Sequence, residues 1–512
     1  MGYLLLTGAT GLLGSYLIRD LLGRGTRLAV LVRATKIASA RQRVENLIAR
    51  WETEAGRALP RPIVLEGDLS QPDLGLGPRG VQWAARNCRA FMHNAASLTF
   101  HAEQGRDGEP YRSNLNGTRN VLEFCEQADL REFHHVSTAY VCGKRLDRVL
   151  ESELDVGQEL GNDYEISKFE SERLVRSADF LKSVTVYRPG IIVGDSFTGF
   201  TTTFHGFYVP LKLVSTLMKR TAAVGLTSEQ IATPIRIGGN RLRQVLKLTG
   251  KEHKNLVPVD WVSAVMSHVY CNRDHHGKTY HLTPRQRVPV KLMQQTIEDA
   301  FIKYTVLTSK ATETAVNWAD FEQHYTEQMR VYQSYWGDDP EFDCTNTLDA
   351  APHLPCPDMD RDLLMRQCRF AIESNFGWPK PGPANIEFDV HDHLAELTHD
   401  RRAGEANGSR PRYLGLQVNG RGGGQWELLY ERGRVVAADV GLGSRCTATF
   451  YLNTNTFRDM TAGDTTAEQA VNRGHVLIEG NGVPLPKLTE ALQEIATGNG
   501  NGRAVRPPAG RM

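Results

Sequence analysis

One stretch near the amino end constrains the fold of this chain more than any other, because it combines a strand, a glycine-spaced turn and a helix. The apolar run at 3–6 leads into TGATGLLG at 7–14, and the residues at 15–22 have helical spacing. A glycine pattern between a buried strand and a helix is typical of dinucleotide-binding folds. The sequence therefore predicts an α/β protein with a Rossmann-type, doubly wound parallel sheet.

Each glycine of this turn has a predicted role. Gly8 permits the tight turn, Gly11 lets a pyrophosphate approach the backbone, and Gly14 lets the helix pack closely on the strand. The amino terminus of the helix offers N–H groups and a positive dipole end to the phosphates. The residues expected to bind the cofactor here are Gly8, Thr10, Gly11, Leu12 and Gly14.

The end of the second predicted strand, Arg27–Val32, indicates which cofactor binds. An acidic residue at this position would bind the ribose 2′-hydroxyl of NAD, whereas an arginine suits a 2′-phosphate. Arg33 occupies the position, and Arg43 adds positive charge close by in the sequence. Each cation alone could simply be a solvent-exposed basic residue at the start of a helix. Arg33 and Arg43 together predict NADPH.

Two further strand ends complete the expected cofactor site. A third strand at 63–69 ends in Asp68 and Leu69, a usual place to hold an adenine edge, and a fourth strand ends at His93. Small residues after that strand would allow the backbone to lie against the cofactor. Asn94, Ala95 and Ala96 are therefore assigned to the cofactor, Ser97 and Thr99 face the substrate or only form a turn, and Asn114 is structural or steadies a proton relay.

A tyrosine and a lysine after the fifth strand, 133–136, suggest the chemistry. Tyr164 and Lys168 are four residues apart, which places them on one face of a helix. A tyrosine has a pKa near ~10, and a neighbouring ammonium is expected to lower it. Thr138, just after the strand, offers a hydroxyl to a reacting carbonyl oxygen. A YxxxK pair alone is usually a solvated helix face, but its position after a glycine turn and five strands predicts a catalytic site.

The order of these motifs over about 290 residues resembles the extended short-chain dehydrogenases/reductases. TGATGLLG, LVRA, ARQRV, YRPGIIVGDSFTG and VPVDWV are similar to the thioester-reductase branch, which includes fatty acyl-CoA reductases and terminal reductase domains of carboxylic acid reductases and nonribosomal synthetases. The resemblance implies that Thr138, Tyr164 and Lys168 are catalytic and that Tyr164 and Lys168 also touch the cofactor. It further implies that Arg188, Pro189, Gly190 and Ile192 flank the nicotinamide, with Gly190 next to the substrate.

The region between the sheet and residue 378 is expected to serve the substrate. The run at 204–219, which begins with Phe204, is suited either to lining a substrate cleft or to forming a core helix. Residues 291–378 show interrupted helical patterns, which resemble the helical substrate cap of fatty acyl reductases. Six cations suit coenzyme A phosphates or an acidic carrier protein, although a solvated face explains them better: Arg236, Arg241, Arg243, Lys247, Lys251 and Lys254.

The hydrophobic period changes after a proline- and glycine-bearing linker with one short helix at 379–411. Alternating runs predict antiparallel strands at 413–418, 425–431, 435–440 and 447–452, followed by two helices, a strand at 475–479 and a last helix. GGGQW, TFYLNTNTFRDMTAG and NRGHVLIEG make 412–496 resemble a sterol-carrier-protein-2-like α+β domain, which implies a tunnel for lipids. A lipid-free dimerisation module is the alternative, and 497–512 has the composition of a disordered tail.

Composition narrows the remaining choices. The net charge is +1, which gives no global attraction to nucleic acid or an anionic membrane. Eight cysteines without a CxxC pair indicate reduced thiols, and the absence of a leader or a long apolar run predicts a cytoplasmic protein. Apolar residues at 204–218 leave peripheral membrane contact open. The histidines show no ligand spacing, so the sequence predicts no metal site.

The sequence thus predicts an NADPH-dependent reductase of long-chain acyl thioesters, carried by coenzyme A or a carrier protein, that forms an aldehyde or an alcohol. Two other functions stay open at this point. One is a different extended short-chain enzyme that acts on a hydroxysteroid or a sugar nucleotide, although Arg33 and the lipid module argue against it. The other is a lipid carrier with a non-catalytic cofactor domain, which would not need Thr138, Tyr164 and Lys168.

Overall fold

The structure is a computed structural model, and it describes residues 2–221, 228–304, 323, 325–327, 329–378, 388–399, 412–441, 445–480 and 482–498. Its contacts divide the chain into two compact units. The first unit comprises residues 1–32 and 65–380, and the second comprises 33–64 and 381–512. The sequence-based domain assignment differs for 33–64, which it places with the first domain.

The secondary structure alternates strand and helix at first and becomes mostly strand later. The strands are β1 Tyr3–Thr7, β2 Leu28–Val32, β3 Ile63–Glu66, β4 Cys88–His93, β5 Glu132–Val136, β6 Ser183–Pro189, β7 Ile191–Val193, β8 His253–Lys254, β9 Leu256–Pro258, β10 Thr279–Leu282, β11 Val288–Pro289, β12 Arg412–Asn419, β13 Gly424–Glu431, β14 Arg434–Val440, β15 Ala448–Asn453 and β16 Val476–Gly480. The helices are α1 Leu12–Gly23, α2 Ala40–Ala55, α3 Gly77–Asn87, α4 Gly117–Gln127, α5 Asp163–Arg176, α6 Tyr208–Thr221, α7 Ser228–Val245, α8 Val259–Cys271, α9 Val290–Tyr304, α10 Thr345–Ala350, α11 Arg361–Glu373, α12 Val390–His399, α13 Thr454–Ala462, α14 Ala467–Asn472 and α15 Leu485–Thr497.

The first unit is organised by a sheet that has seven strands among the described residues, in the order β10-β6-β5-β4-β1-β2-β3. The pairings β1–β2, β1–β4, β4–β5, β5–β6 and β6–β10 are all parallel. Leu4, Leu5 and Leu6 of β1 are fully buried, as expected for a strand that is covered on both faces. The strand order reverses beside β1, and doubly wound sheets bind ligands at such a switch point. The predicted Rossmann-type fold is therefore confirmed for this part of the chain.

The helices beyond β7 form a separate apolar cluster in the first unit. Phe207, Tyr208 and Leu211 around the start of α6 are buried against Phe301 of α9 and Leu364 of α11. Of the two interpretations of 204–219, these side chains favour the core helix. No helix among the described residues is long and apolar enough to cross a membrane.

The second unit contains a mixed sheet that has five strands among the described residues, in the order β14-β13-β12-β15-β16. The expectation of purely antiparallel strands is wrong for β12 and β15, which pair in parallel. Alternation in a sequence gives the buried face of a strand but not its direction, so this pairing could not be predicted. Leu414, Leu416 and Phe450 are buried in the core of this unit.

Two segments outside the sheet also belong to the second unit. Val390 and Leu394 of α12 are buried in its core, although the sequence analysis placed them in a linker. α2 packs near β12, where Asn419 Nδ2 donates a hydrogen bond to Glu52 Oε2 over 2.9 Å. The remainder of the predicted linker, 379–387 and 400–411, and the tail from 499 lie outside the described residues.

Candidate active site

The glycine turn after β1 has the geometry of a phosphate cradle. Gly8 has a φ of +68°, and a Cβ there would lie 2.6 Å from the backbone nitrogen of Ala95. A Cβ on Gly14 would lie 2.0 Å from the carbonyl oxygen of Gly8, so only glycine lets α1 pack this closely on the turn. Gly11 is the N-cap of α1 and has no capping side chain. The turn therefore presents backbone N–H groups at a helix amino terminus, as an anion site requires.

The ends of β1 and β4 are tied together beside this turn. Thr7 Oγ1 accepts hydrogen bonds from the backbone N–H groups of Asn94 and Ala95, both over 3.2 Å. Asn94 Nδ2 donates to the carbonyl oxygen of Gly8 over 3.2 Å. The predicted cofactor residues after β4 thus contact the glycine turn directly, because parallel strands end at the same edge of the sheet.

The other predicted contacts from neighbouring loops are held by hydrogen bonds. Asp68 Oδ1 accepts from the backbone N–H and the hydroxyl of Ser70, and the Leu69 carbonyl accepts from Asn120. Asn114 is buried and its side chain accepts from the Ser97 N–H over 2.7 Å. Its Nδ2 donates to the carbonyl of Ser97 and to Ser167 Oγ. Asn114 therefore fixes the loop after β4 onto α5, and the roles of Asp68, Leu69, Ala96 and Ser97 toward ligands stay predictions.

Helix α5 positions the predicted catalytic pair. Asn162 caps its amino end by accepting from the Glu165 N–H over 2.9 Å. Tyr164 and Lys168 lie one turn apart on this helix, and Lys168 Nζ donates to the carbonyl of Val136 over 2.7 Å. Val136 is the last residue of β5, so the ammonium lies at the strand end that leads into Thr138.

The three predicted catalytic side chains share one environment. Tyr164 is enclosed by protein atoms but retains some accessible surface, whereas Thr138 and Lys168 are buried. Burial raises the pKa of Tyr164 to about 12, while the hydrogen bond with Thr138 acts in the opposite direction. The expected lowering of this pKa is therefore wrong, because the loss of solvation outweighs the effect of the neighbouring groups. Burial also lowers the pKa of Lys168 to about 8.

Two buried histidines near Lys168 were not among the site residues predicted from the sequence. His93 Nδ1 lies 2.8 Å from Thr7 Oγ1, and its Nε2 lies 3.1 Å from Thr118 Oγ1. Burial, together with the Lys168 ammonium, lowers the pKa of His93 to about 3 and that of His135 well below its ordinary value. Both histidines are therefore neutral at physiological pH. No signal in the sequence indicated these two histidines, because the residues around them come from other elements.

An ion pair behind Lys168 anchors α5 to the sheet. Glu172, one turn after Lys168, accepts from Arg188 Nη2 over 2.6 Å and from Arg188 Nε over 3.1 Å. Both side chains are almost fully buried. Arg188 was expected to flank the nicotinamide, but its guanidinium is engaged by this carboxylate and by the carbonyl of Glu153.

Aromatic side chains surround the hydroxyl end of the site. The ring of Phe100 lies 5.6 Å from that of Tyr164 and 5.6 Å from that of Tyr335. Tyr335 in turn contacts Tyr140 at 5.3 Å, and the Tyr140 hydroxyl donates to Asp339 over 2.6 Å. We call Phe100, Tyr140 and Tyr335 the aromatic wall. Phe100 and Tyr335 lie 235 positions apart in the sequence, with Tyr140 between them, so no local pattern revealed the wall.

Several predicted site residues lie elsewhere or have structural partners. Phe204 packs against Tyr208 and Phe376 in the helical cluster. Gly190 follows Pro189, and a Cβ on it would lie 2.5 Å from the carbonyl oxygen of Asn255. Ile192 pairs with Val257 across β7 and β9. A ligand-contacting role for Phe204, Pro189, Gly190 and Ile192 stays a prediction.

The predicted cationic residues divide into two groups. Arg33 and Arg43 belong to the second unit, where Arg43 Nη1 donates to the carbonyl of Arg33. In the group from 236 to 254, Lys254 is buried and its Nζ lies 2.8 Å from Asp339 Oδ1. Arg236 pairs with Asp299 over 3.0 Å at the surface. The structure thus removes Lys254 from the candidates for phosphate binding, because its charge is already compensated.

Comparisons with known proteins agree with this geometry. The profile of the family described as "Male sterility protein" matches residues 6–266, half of the chain. "Nonribosomal peptide synthetase asaC" of Aspergillus flavus is 28% identical over 301 residues, which cover 56% of this chain and 26% of that protein. "Putative fatty acyl-CoA reductase CG8306" of Drosophila melanogaster is 35% identical over 147 residues, which cover 27% and 28% respectively. The chain thus spans little more than a quarter of the length of either relative.

Among solved structures, the terminal R domain from the myxalamid PKS-NRPS biosynthetic pathway is similar with a TM-score of 0.55 and 23% identity. The match covers 73% of this chain and 92% of that one. A thiolation-reductase di-domain from an archaeal nonribosomal peptide synthetase gives a TM-score of 0.51 at 18% identity, covering 73% and 76%. At these identities the likeness shows the fold, a Rossmann-like α/β arrangement with a parallel sheet.

Proposed function

This chain belongs to the Male sterility protein family through residues 6–266, and from that premise we propose that it is an NADPH-dependent reductase of long-chain acyl thioesters. The observation that carries the proposal is the convergence of Thr138, Tyr164 and Lys168 beside the end of β5. Thr7 and His93 connect this group to the glycine turn. The names of matching proteins, which include a nonribosomal peptide synthetase and a putative fatty acyl-CoA reductase, support a thioester as substrate.

The site residues suit a nicotinamide cofactor on structural grounds. The cradle formed by Gly8, Gly11 and Gly14 would let a phosphate approach the backbone, and side chains at Gly8 and Gly14 would clash with backbone atoms. When bound, the cofactor would supply the hydride for the reduction. Arg33, the first residue after β2, supports the 2′-phosphate form, as does the nearby positive charge of Arg43.

The chain's own residues would stabilise the reduced carbonyl. Thr138 and Tyr164 donate hydrogen bonds to the oxygen of the tetrahedral oxyanion, and such donors lower a barrier by about 3 kcal/mol each. The high pKa of Tyr164 keeps its hydroxyl protonated before the reaction. Tyr164 then gives its proton to the oxygen, and the positive charge of Lys168 favours the phenolate that remains. Collapse of the hemithioacetal expels the thiol and leaves the aldehyde, and a second reduction would give the alcohol.

Two features support a lipophilic acyl group. The aromatic wall of Phe100, Tyr140 and Tyr335 provides apolar surface next to Tyr164. The second unit, which resembles a sterol-carrier-protein-2-like domain in sequence, would hold or deliver such a chain. Coenzyme A and a carrier protein are both suitable as the thiol, and the cations Arg241, Arg243, Lys247 and Lys251 are candidates for binding either one.

The first experiment is to follow NADPH oxidation with palmitoyl-CoA and to identify the product. We expect oxidation together with formation of an aldehyde or an alcohol, which would establish the reductase and the number of hydrides transferred. Cofactor binding without oxidation would contradict a coenzyme A substrate, and the same assay would then be run with an acyl carrier protein and with a hydroxysteroid.

Replacing the tyrosine tests the mechanism. Tyr164→Phe removes the proton donor, so kcat is expected to fall by about 10²–10⁴-fold while NADPH binding is preserved. Tyr111→Phe is the matched control, because its hydroxyl donates to Asp163 on the same helix and is not assigned to the reaction. Equal activity in Tyr164→Phe and Tyr111→Phe would contradict the mechanism.

A further inference from the structure

A second group of potential ligand residues lies at the opposite end of β5 from the candidate active site. Glu132 and His134 are two residues apart on β5, so their side chains lie on the same face of the strand. His276 follows a short turn at 273–275, just before β10. Thr138 is six residues beyond Glu132, about 20 Å along an extended chain, so this group is separate from the catalytic residues.

The three side chains converge on one point. His134 Nε2 lies 3.6 Å and His276 Nδ1 lies 3.5 Å from the same carboxylate oxygen, Oε1 of Glu132. One potential ligand atom from each residue lies within 4.8 Å of both others. A zinc ion with bonds of about 2.0–2.1 Å in tetrahedral geometry separates its ligand atoms by about 3.3 Å. The two separations from Glu132 Oε1 are slightly longer than those around zinc and too long for good hydrogen bonds.

In each histidine, one ring nitrogen faces Glu132. The other ring nitrogen, called the outer nitrogen here, has a different partner. His134 Nδ1 lies 3.1 Å from the hydroxyl of Tyr187, and His276 Nε2 lies 2.9 Å from the carbonyl of Tyr270. His134 is fully buried, and its Nε2 has no hydrogen-bond partner. Histidines that bind metals use their second nitrogen in this way, which fixes the ring and the tautomer.

We propose that Glu132, His134 and His276 bind a zinc ion, with water as the fourth ligand. Two imidazoles and one carboxylate form a known zinc ligand set. The ion would join β5 to the turn before β10. It would also give Nε2 of His134, which has no hydrogen-bond partner, a bond to the metal.

The charges around the group are compatible with a cation. Glu132 brings one carboxylate to the group, and imidazoles bind metals in their neutral form. Arg273 Nη2 lies 3.7 Å from Glu132 Oε2, and its side chain is 71% exposed. This cation competes with zinc but can turn into solvent.

Binding of zinc to the full chain after treatment with a chelator tests the proposal directly. We expect about one equivalent of Zn²⁺ per chain by calorimetry, and a tetrahedral visible spectrum when Co²⁺ replaces it. Glu132→Gln and His276→Gln each remove one ligand at a partly exposed position and should weaken binding by at least about 100-fold. His253→Gln is the matched control, since His253 pairs with a single carboxylate, Asp338, and should leave zinc binding unchanged.

Two further variants make the test independent of folding defects. Tyr187→Phe removes the outer partner of His134 and should weaken zinc binding by about 10–100-fold. Arg273→Gln removes the competing cation and should tighten it. Zinc binding that is equally strong in native protein, Glu132→Gln and His276→Gln would overturn the proposal, as would the absence of stoichiometric binding to the native chain.

Discussion

At the scale of single residues, burial determines the protonation states in the candidate active site. Tyr164 and Lys168 each have a pKa shifted toward the neutral form, to about 12 and about 8 respectively. His93, next to Lys168, is held neutral as well. Burial thus opposes a charge on the Tyr164 phenol and on the Lys168 amine alike.

The buried ammonium of Lys168 predicts a specific dependence of stability on pH. Its pKa is about 8 in the folded chain and about 10.4 when unfolded, so between these values the unfolded chain binds more protons. The free energy of unfolding therefore increases as pH rises from 8 to 10.4. Below pH 8 the buried Lys168 ammonium destabilises the folded chain by its full amount. Lys168→Met is expected to be more stable than the native protein at pH 7, by about 1–3 kcal/mol, and to lose this advantage by about pH 10.4.

Urea unfolding of both proteins at pH 7 and pH 10 measures this difference. Lys182→Met is the control for the loss of a lysine, because Lys182 is exposed. A gap between Lys168→Met and native protein that stays constant with pH would contradict the assignment.

The basic residue after β2 predicts cofactor preference. Arg33→Gln would remove a charge-assisted contact to the 2′-phosphate, worth about 1.5–3 kcal/mol, and kcat/KM with NADPH should fall by about 10–100-fold. The value with NADH should change little. Lys36→Gln, at another exposed position in the same loop, provides the control. An unchanged ratio of NADPH to NADH efficiency in Arg33→Gln would argue against the assigned role.

At the scale of elements, the contact between α1 and the glycine turn sets the geometry of the cofactor site. Gly14→Ala would place a Cβ 2.0 Å from the carbonyl oxygen of Gly8 and 2.8 Å from Cα of Ala9. These are backbone atoms, so the helix must move. We expect a loss of at least about 1–3 kcal/mol in the free energy of unfolding and a strong loss of cofactor binding.

Gly23→Ala is the matched control in the same helix. A Cβ at Gly23 would meet nothing within 4 Å, so alanine should stabilise the protein by about 0.5–1 kcal/mol and leave cofactor affinity unchanged. Thermal unfolding and a cofactor titration of both variants measure these effects. Similar behaviour of Gly14→Ala and Gly23→Ala would show that the close approach is not required.

Helix α5 illustrates how one element serves two purposes. Its amino-terminal turns carry Tyr164 and Lys168, and its next turn carries Glu172, which binds Arg188 of β6. A buried ion pair contributes little net stability, but breaking it leaves an uncompensated charge. The pair therefore fixes the helix against the sheet and thereby the position of Lys168.

At the scale of the whole molecule, the two units are interleaved in the sequence. Residues 33–64 form one compact unit with 381–512, whereas 1–32 and 65–380 form the other. Within the second unit, Arg61 is fully buried between Glu45 at 3.3 Å and Glu52 at 2.8 Å, and Glu52 also accepts from Asn419. Removing the carboxyl-terminal segment would thus expose a buried ionic network.

A truncated chain that ends at Lys380 tests this interleaving. We expect the backbone amides of α2 to exchange hydrogen faster in the truncated chain, because α2 loses its contact with β12 and Glu52 loses the hydrogen bond from Asn419. The amides of β1 and β4 provide the internal control and should remain protected, since their partners are retained. Unchanged protection of α2 would contradict the division into two units.

The sequence by itself was sufficient to predict those features that depend on residues close together in the chain. The β1–glycine turn–α1 unit, the parallel Rossmann-type sheet and the common helix of Tyr164 and Lys168 follow from local periodicity and spacing, and the structure contains all of them. The family resemblance was likewise carried by short contiguous motifs, and the match over residues 6–266 agrees with it.

The tertiary structure alone decided which distant residues meet and how far each is buried. It placed α2 in the second unit, paired β12 with β15 in parallel, and brought His276 to Glu132 and His134. It also reversed the expected pKa shift of Tyr164. Desolvation depends on every atom around a group, and contacts across more than 100 residues depend on packing, so neither is encoded in local spacing.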